Sequence, residues 1–484
     1  MTDLATDPRS PRWHEAVFTT GGFVPAGSSL AVRAPATGDV VAEVGRADAA
    51  LLDAAVSAAA RAQVAWAGAP YPERAAVFTR AAALLQADPD RLLRWLVPES
   101  GSAQGKAAFE VGLVVSELSG AAALCAEPYG SLLRSEKPRL SLQRRVPIGV
   151  VGVISPFNFP AVLAMRSVAP ALAAGNGVVL KPDPRTPVSG DLFAEAGLPD
   201  GLLHVLPGDG ELGAALVEHP GVGCLSFTGS TAAGRRIGET AGRLLKRVHL
   251  ELGGNNALLI LPDADLDAAV SAGAWGSFLH QGQICMTTGR HLVPRSLLAD
   301  YSRALAAHAD ALPVGDPTDP ASALGPLISS SEADRVQALV DEAVAAGATL
   351  LAGGTHEGPF YRPTVLRDVP TDTRVFAEEV FGPVAPIVAY DTVEEAIELI
   401  NASEYGLSVG ILTGDAFGAL AVAERIRSGM VHINDQTVDD ETAAPFGGVG
   451  ASGVGGRFGS STNLDAFSEL QWVTMQGAAE RYPF

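Results

Sequence analysis

Gly149-Val150-Val151-Gly152-Val153-Ile154 is a run of small and β-branched apolar residues without a single charge. No polar residue alternates through it, so a strand built from it is buried on both faces. Four similar runs follow: Gly177-Val178-Val179-Leu180, Leu202-Leu203-His204-Val205-Leu206, Cys224-Leu225-Ser226-Phe227 and Arg247-Val248-His249-Leu250-Glu251-Leu252. Segments with helical spacing separate them. Strands alternating with helices predict right-handed βαβ units and a mostly parallel sheet, an α/β fold. A second series starts near Ala257-Leu258-Leu259-Ile260 and continues to about residue 434.

Upstream of this core, residues 1–35 read as a loose arm leading into short strands. Residues 48–66, 72–97 and 105–124 read as helices, with Pro72 and Glu73 suiting a helix start. Arg139-Leu140-Ser141-Leu142-Gln143-Arg144-Arg145-Val146 alternates polar and apolar, as a half-exposed strand does, and Leu470-Gln471-Trp472-Val473-Thr474 is the last strand-like stretch.

At 484 residues the chain exceeds the ~250–300 at which one core stops growing, so two or more domains are expected. A formal net charge of −20 argues against nucleic acid and anionic membrane as partners. Cys125, Cys224 and Cys285 form neither a disulfide framework nor a CxxC pair, and no H-E-x-x-H or Cys/His cluster suggests a metal. The first twelve residues lack an apolar core, and no stretch of about 20 residues is free of Gly, Pro and charge; a cytoplasmic protein without a membrane span is expected.

Chemistry concentrates where the strand runs end. Asn158, just past Ile154, carries an amide that can donate to an oxyanion; the bland alternative is a cap for the helix after Pro160. Lys181 closes its strand at the end where ligands of parallel sheets bind. In Phe227-Thr228-Gly229-Ser230-Thr231, Gly229 and Ser230 can approach a pyrophosphate, although such openings are more often plain helix caps. His249 and Glu251 lie two apart on a strand and so face the same side. A buried Glu needs a partner or a raised pKa, and either suits a general base. Cys285 is the nucleophile candidate, reactive only as thiolate. His280 precedes it by five, so a Cys–His hydrolase pair requires a tertiary contact.

Taken in order, Pro156-Phe157-Asn158-Phe159-Pro160, Lys181-Pro182, Phe227-Thr228-Gly229-Ser230, Glu251-Leu252-Gly253-Gly254, Gly282-Gln283-Ile284-Cys285, Glu378-Glu379-Val380-Phe381-Gly382-Pro383 and Pro445-Phe446-Gly447-Gly448 resemble the NAD(P)-dependent aldehyde dehydrogenase superfamily. Phe278-Leu279-His280-Gln281-Gly282-Gln283 and His432-Ile433-Asn434-Asp435-Gln436-Thr437 look most like its benzaldehyde and vanillin branch. The resemblance implies two Rossmann-like parallel-sheet domains and a small β oligomerisation element. It assigns residues 1–124 and 147–252 to cofactor binding, 253–440 to catalysis, and 125–146 with 462–484 to a homodimer or homotetramer contact.

It also implies roles. Cys285 attacks the aldehyde, Asn158 holds the oxyanion, and Glu251 activates water. Ile154, Ser155, Pro156, Phe157, Lys181, Gly229, Ser230, Leu252, Gly253, Glu379 and Phe381 meet NAD or NADP, with NAD the first choice. Phe159, Leu163, Arg166, Phe278, Met286 and Phe446 line the aldehyde pocket, where Arg166 either meets a polar ring substituent or holds a nearby carboxylate.

Three departures from the family stand out. Pro184 and then Arg185 occupy the place of a ribose-binding Glu, which leaves NADP open. Phe458 replaces a second glutamate. The helix over 186–197 is expected to be about one turn short. Two other functions compete: a nucleotide-independent cysteine hydrolase using His249 or His280, and a non-catalytic structural paralogue.

Overall fold

Val150–Ile154 lies at the centre of an eight-stranded sheet whose order is 22–25, 16–19, 203–205, 177–181, 150–154, 224–228, 247–251 and 453–454. These assignments come from a computed structural model that describes residues 14–19, 22–187, 195–459 and 461–484. The five interior strands are parallel, and the edges are closed by antiparallel partners. Successive strands run to one side of Val150–Ile154 and then to the other. The strand order therefore reverses between Val150–Ile154 and Cys224–Thr228, the place where α/β sheets open a crevice for ligands.

A second sheet of seven strands, ordered 349–352, 364–367, 384–390, 288–294, 256–260, 408–412 and 430–433, is parallel except for its first strand. Late in the chain, Gly453–Val454 returns to the first sheet, pairing Gly453 with Glu251 and Val454 with Leu250. A third, antiparallel sheet joins Ser468–Met475, Leu140–Pro147 and Gly130–Leu132.

Helix Pro160–Ala173 is buried along its whole length, Arg166 and Ser167 included. A helix apolar all round belongs inside a protein. Helix Gln104–Leu124 packs against it on one side and against helix Tyr71–Ala87 on the other. By length and composition Gln104–Leu124 alone, among the described residues, is apolar enough to cross a membrane. Its Lys106, Glu110 and Glu117 instead form ion pairs inside the protein.

One helix expectation needs correction. The helical reading over 72–97 splits into Tyr71–Ala87 and Asp90–Ser100. Asp88, at φ −138° and ψ 77°, has left the helical region, as the residue before a proline is pushed to do by the Pro89 ring. The shortened helix expected over 186–197 lies largely outside the described residues.

Candidate active site

Three loops converge between the two large sheets. The first, Ser155 to Phe159, leaves the central strand and enters the buried helix at Pro160, where a proline needs no amide hydrogen. Asn158 does not cap that helix. The free amides of Ala161 and Val162 donate instead to Glu110 Oε1, at 2.8 and 3.2 Å. Lys106 Nζ joins Glu110 Oε2 at 2.6 Å, donates to the Asn158 carbonyl at 2.7 Å, and lies 4.0 Å above the Phe159 ring. The Asn158 side chain is then free to donate to the Gln283 carbonyl at 2.8 Å, two residues before Cys285. An amide has two N–H donors, so this bond leaves one for a ligand.

The second loop carries Cys285. His280, Gln281 and Gly282 are consecutive left-handed residues, with φ of 48°, 56° and 68°. Such a conformation costs non-glycine residues of order 1 kcal/mol each and persists only where the surroundings hold it. Here Gln281 Nε2 donates to the Pro326 carbonyl, the Ile328 amide donates to Gln283 Oε1, and Thr287 Oγ1 donates to the Gly282 carbonyl. A Cβ on Gly282 would sit 2.1 Å from the Gly382 oxygen, so only glycine fits. Asn256 Nδ2 fastens the far side through the carbonyls of Cys285 and Thr287. The Cys285 thiol is pushed up to about 12, by burial first and then by the charges of Glu379 and Glu251.

The third loop starts at Glu251, the end of its strand and buried. Burial raises its pKa; His249, Arg457 and Arg166 oppose that shift. Its Oε1 lies 3.7 Å from His249 Nε2, and its Oε2 has no hydrogen-bond partner among the described residues. Gly447 makes room for the carboxylate: a Cβ there would stand 2.5 Å from Oε1. Cys285 and Glu251 thus feel each other electrostatically, while Asn158 grips the loop that bears the thiol.

On the opposite side of the first sheet's carboxyl edge, a cavity of about 440 Å³ opens between helices Gly210–Glu218 and Thr231–Arg243. Ile154, Lys181, Gly213 and Phe227 are among its lining residues. Lys181 is buried beneath it, Nζ 3.1 Å from the Pro182 carbonyl and near the carboxylates of Asp183 and Asp209. Ser155 is also buried, and its hydroxyl lacks a partner among the described residues. Ser230 Oγ accepts from the Ala233 amide at 3.3 Å, so the bland helix-cap reading holds; an exposed hydroxyl there still has a proton to donate. Leu252 is packed with Phe227 and Leu250 under that helix.

Glu379 Oε1 accepts from the Gly254 amide at 3.1 Å, and a Cβ on Gly253 would strike its other oxygen at 2.2 Å. Burial pushes the Glu379 carboxyl up to about 7. Phe381, at φ 51°, meets Phe157 edge to face at 5.9 Å. Arg185 covers the other side of Phe157 at 4.2 Å and is held by both oxygens of Asp183. A cleft of this size at a switch point, with Lys181 and the first residue of helix Gly210–Glu218 in its lining, fits a dinucleotide.

Phe159, Leu163, Met286 and Phe446 join the core cluster on which Cys285 rests, which suits an aldehyde pocket. Phe278 does not. It ends helix Leu266–Phe278 and is packed in the second domain's core with Val293 and Tyr301, because the chain turns only after it, at His280. Arg166 donates to Glu117 Oε1 at 3.2 Å, is paired with Asp440, and covers the Phe446 ring at 4.5 Å. It holds carboxylates, the second of the two expected roles.

The sequence reading missed Lys106, Glu110 and Asn256. A lysine and a glutamate four apart in an otherwise apolar helix were the available signal, since that spacing places them side by side.

Residues 23–473 match the family model described as the aldehyde dehydrogenase family. The chain belongs to that family. It is 55% identical to a vanillin dehydrogenase of an Amycolatopsis species, over 98% of this chain and 99% of that protein. It is 49% identical to an NAD(+) benzaldehyde dehydrogenase of Pseudomonas putida, again over 98% and 99%. A salicylaldehyde dehydrogenase from Pseudomonas putida G7, solved with salicylaldehyde, matches with a TM-score of 0.94 at 33% identity and covers 97% of this chain and 99% of that one.

As an aldehyde dehydrogenase the protein is an oxidoreductase, and the hydrolase and structural-paralogue readings gain no support. His280 lies edge-on to Phe159 at 5.5 Å, and His249 faces Glu251.

Proposed function

We propose that this aldehyde dehydrogenase oxidises an aromatic aldehyde to its carboxylic acid, with NAD⁺ as the preferred acceptor. One observation carries the mechanism: the Cys285 loop is tied to Asn158 at 2.8 Å and to Asn256 at 2.8 Å while the Glu251 carboxylate acts on the thiol. The aromatic wall of Phe159 and Phe446 beside it supports a planar, apolar substrate. So do the names of the relatives above.

The Cys285 proton passes to water and the sulfur adds to the aldehyde carbon, turning the carbonyl oxygen into an oxyanion. The spare N–H of Asn158 donates to that oxygen, a contribution worth ~10²–10³ in rate. A bound nicotinamide dinucleotide supplies the acceptor for the hydride leaving that carbon. Cys285 is then a thioester. Glu251 takes a proton from water, the resulting oxygen nucleophile adds to the thioester, and the carbon–sulfur bond breaks to release acid and thiolate.

The NAD⁺ preference is supported by the relative named as an NAD(+) benzaldehyde dehydrogenase and by how the nearby charges are committed. Near Lys181 the carboxylates of Asp183 and Asp209 are already paired, with Arg185 and with Arg46. Arg185, the one departure that favours a 2′-phosphate, is spent on Asp183 and Phe157. Self-association through Ser468–Met475 and Leu140–Pro147 belongs to the same reading.

Purified protein assayed with benzaldehyde, vanillin and an aliphatic aldehyde, each with NAD⁺ and with NADP⁺, tests the proposal. The highest kcat/KM is expected for an aromatic aldehyde with NAD⁺. Equal or better turnover of the aliphatic aldehyde removes the substrate assignment, and a preference for NADP⁺ removes the cofactor assignment.

A further inference from the structure

Strand Arg247–Glu251 presents His249 and Glu251 on one face, and the imidazole Nε2 stands 3.7 Å from Glu251 Oε1. The ring is only 1% exposed and is stacked on Phe458 at 4.0 Å and 21°, with Phe467 behind it at 6.2 Å and 25°. That packing fixes the ring plane. Among the described residues, neither ring nitrogen has a hydrogen-bond partner, and neither does Glu251 Oε2. Unpaired buried polar atoms cost of order 1–3 kcal/mol each, so native structures rarely leave several together. Here they face one another beside the hydrolytic carboxylate, one small side-chain rotation short of a hydrogen bond.

The other groups around this pair are committed. Ser226, level with His249 on the next strand, shares its hydroxyl hydrogen with Ser167 at 2.8 Å. Arg457 donates to the Gly448 carbonyl at 2.7 Å, and Arg166 is engaged by Glu117 and Asp440. The Cys285 thiol, on which the Glu251 charge acts, has its own pKa raised first by burial. Among the described residues, His249 has both ring nitrogens unpaired and stands 3.7 Å from the carboxylate.

We infer that His249 is a positioning residue for Glu251: its Nε2–H donates to Oε1 when the carboxylate is charged, aims the other oxygen at water, and lowers the pH at which thioester hydrolysis begins. This rests on Glu251 being the base that activates water. His249 stabilises the ionised form, so without it Glu251 protonates at higher pH and the acid limb of hydrolysis moves to the alkaline side.

Two variants separate this role from packing. His249→Phe keeps the stack on Phe458 but has no N–H; His249→Gln restores a donor. Rapid-quench single turnovers with benzaldehyde and NAD⁺ give two rate constants at each pH: the burst of reduced nucleotide, and the decay of the Cys285 acyl adduct followed by mass spectrometry. In H249F the ratio of decay to burst should fall about tenfold near neutral pH, and the acid limb of decay should move up by about one unit. H249Q should recover part of both, and it alone serves the comparison if H249F does not fold. Burst formation in every protein with an unmoved acid limb of decay overturns the inference. Wild-type protein that yields no reduced nucleotide overturns the parent reading, and this one with it.

Discussion

Glu251 is buried deeply enough for its carboxyl to hold a proton more tightly than usual, yet its proposed work requires it to take one from water. Both hold if the charged form is briefly supported by His249 and the substrate complex. Glu251→Gln keeps the volume and removes the base. The expected outcome is a full burst of reduced nucleotide and then a steady-state rate lower by roughly 10²–10⁴, read by stopped-flow absorbance. Cys285→Ala should abolish burst and turnover together while nucleotide still binds, which titration calorimetry would show. An unchanged steady-state rate in the Gln variant would remove Glu251 from its role. Residue identity and order made Cys285, Glu251 and Asn158 legible. Whether Arg166 faced substrate or carboxylate was not, because Glu117 lies 49 positions away and Asp440 274 positions away.

At the scale of the element, helix Gln104–Leu124 does what no motif announced. Burial lowers the pKa of Lys106, and its ion pair with Glu110 is 2.6 Å long with both side chains almost fully enclosed. Removing one partner of such a pair strands the other charge, at a cost of about 3–5 kcal/mol. Lys106→Met should therefore lower the urea midpoint by that equivalent. Because Lys106 also holds the Asn158 carbonyl, kcat should fall in the protein that remains folded. A variant of wild-type stability would show that the pair is replaceable. The same scale explains the one misjudged helix. Alanine-rich spacing continued through residue 97, but the Pro89 ring acts on the backbone of its neighbour whatever the side-chain pattern.

In the whole molecule, two parallel sheets meet at the reacting groups while a third, antiparallel sheet stands apart. That third sheet exposes Leu132, Leu140, Leu470, Trp472 and Met475. Exposed apolar side chains spread over all three strands of this small sheet suit a surface for association. Sedimentation velocity is expected to show an assembly larger than a monomer. Paired substitution Leu470→Glu and Trp472→Glu should shift it toward monomer without loss of helix content. A wild-type monomer would refute this.

Sequence alone determined the α/β class and the strand-ending positions of Lys181 and Glu251, and it singled out Cys285 as the nucleophile candidate. Periodicity and residue chemistry are local properties and survive without coordinates. Only the tertiary structure decided that Gly453–Val454 returns to lie beside Glu251, that Phe278 belongs to a core and not a pocket, and that Lys106 supports Asn158. Each of these depends on contacts between residues far apart in the chain, and packing sets such contacts through shape and burial that no local pattern encodes.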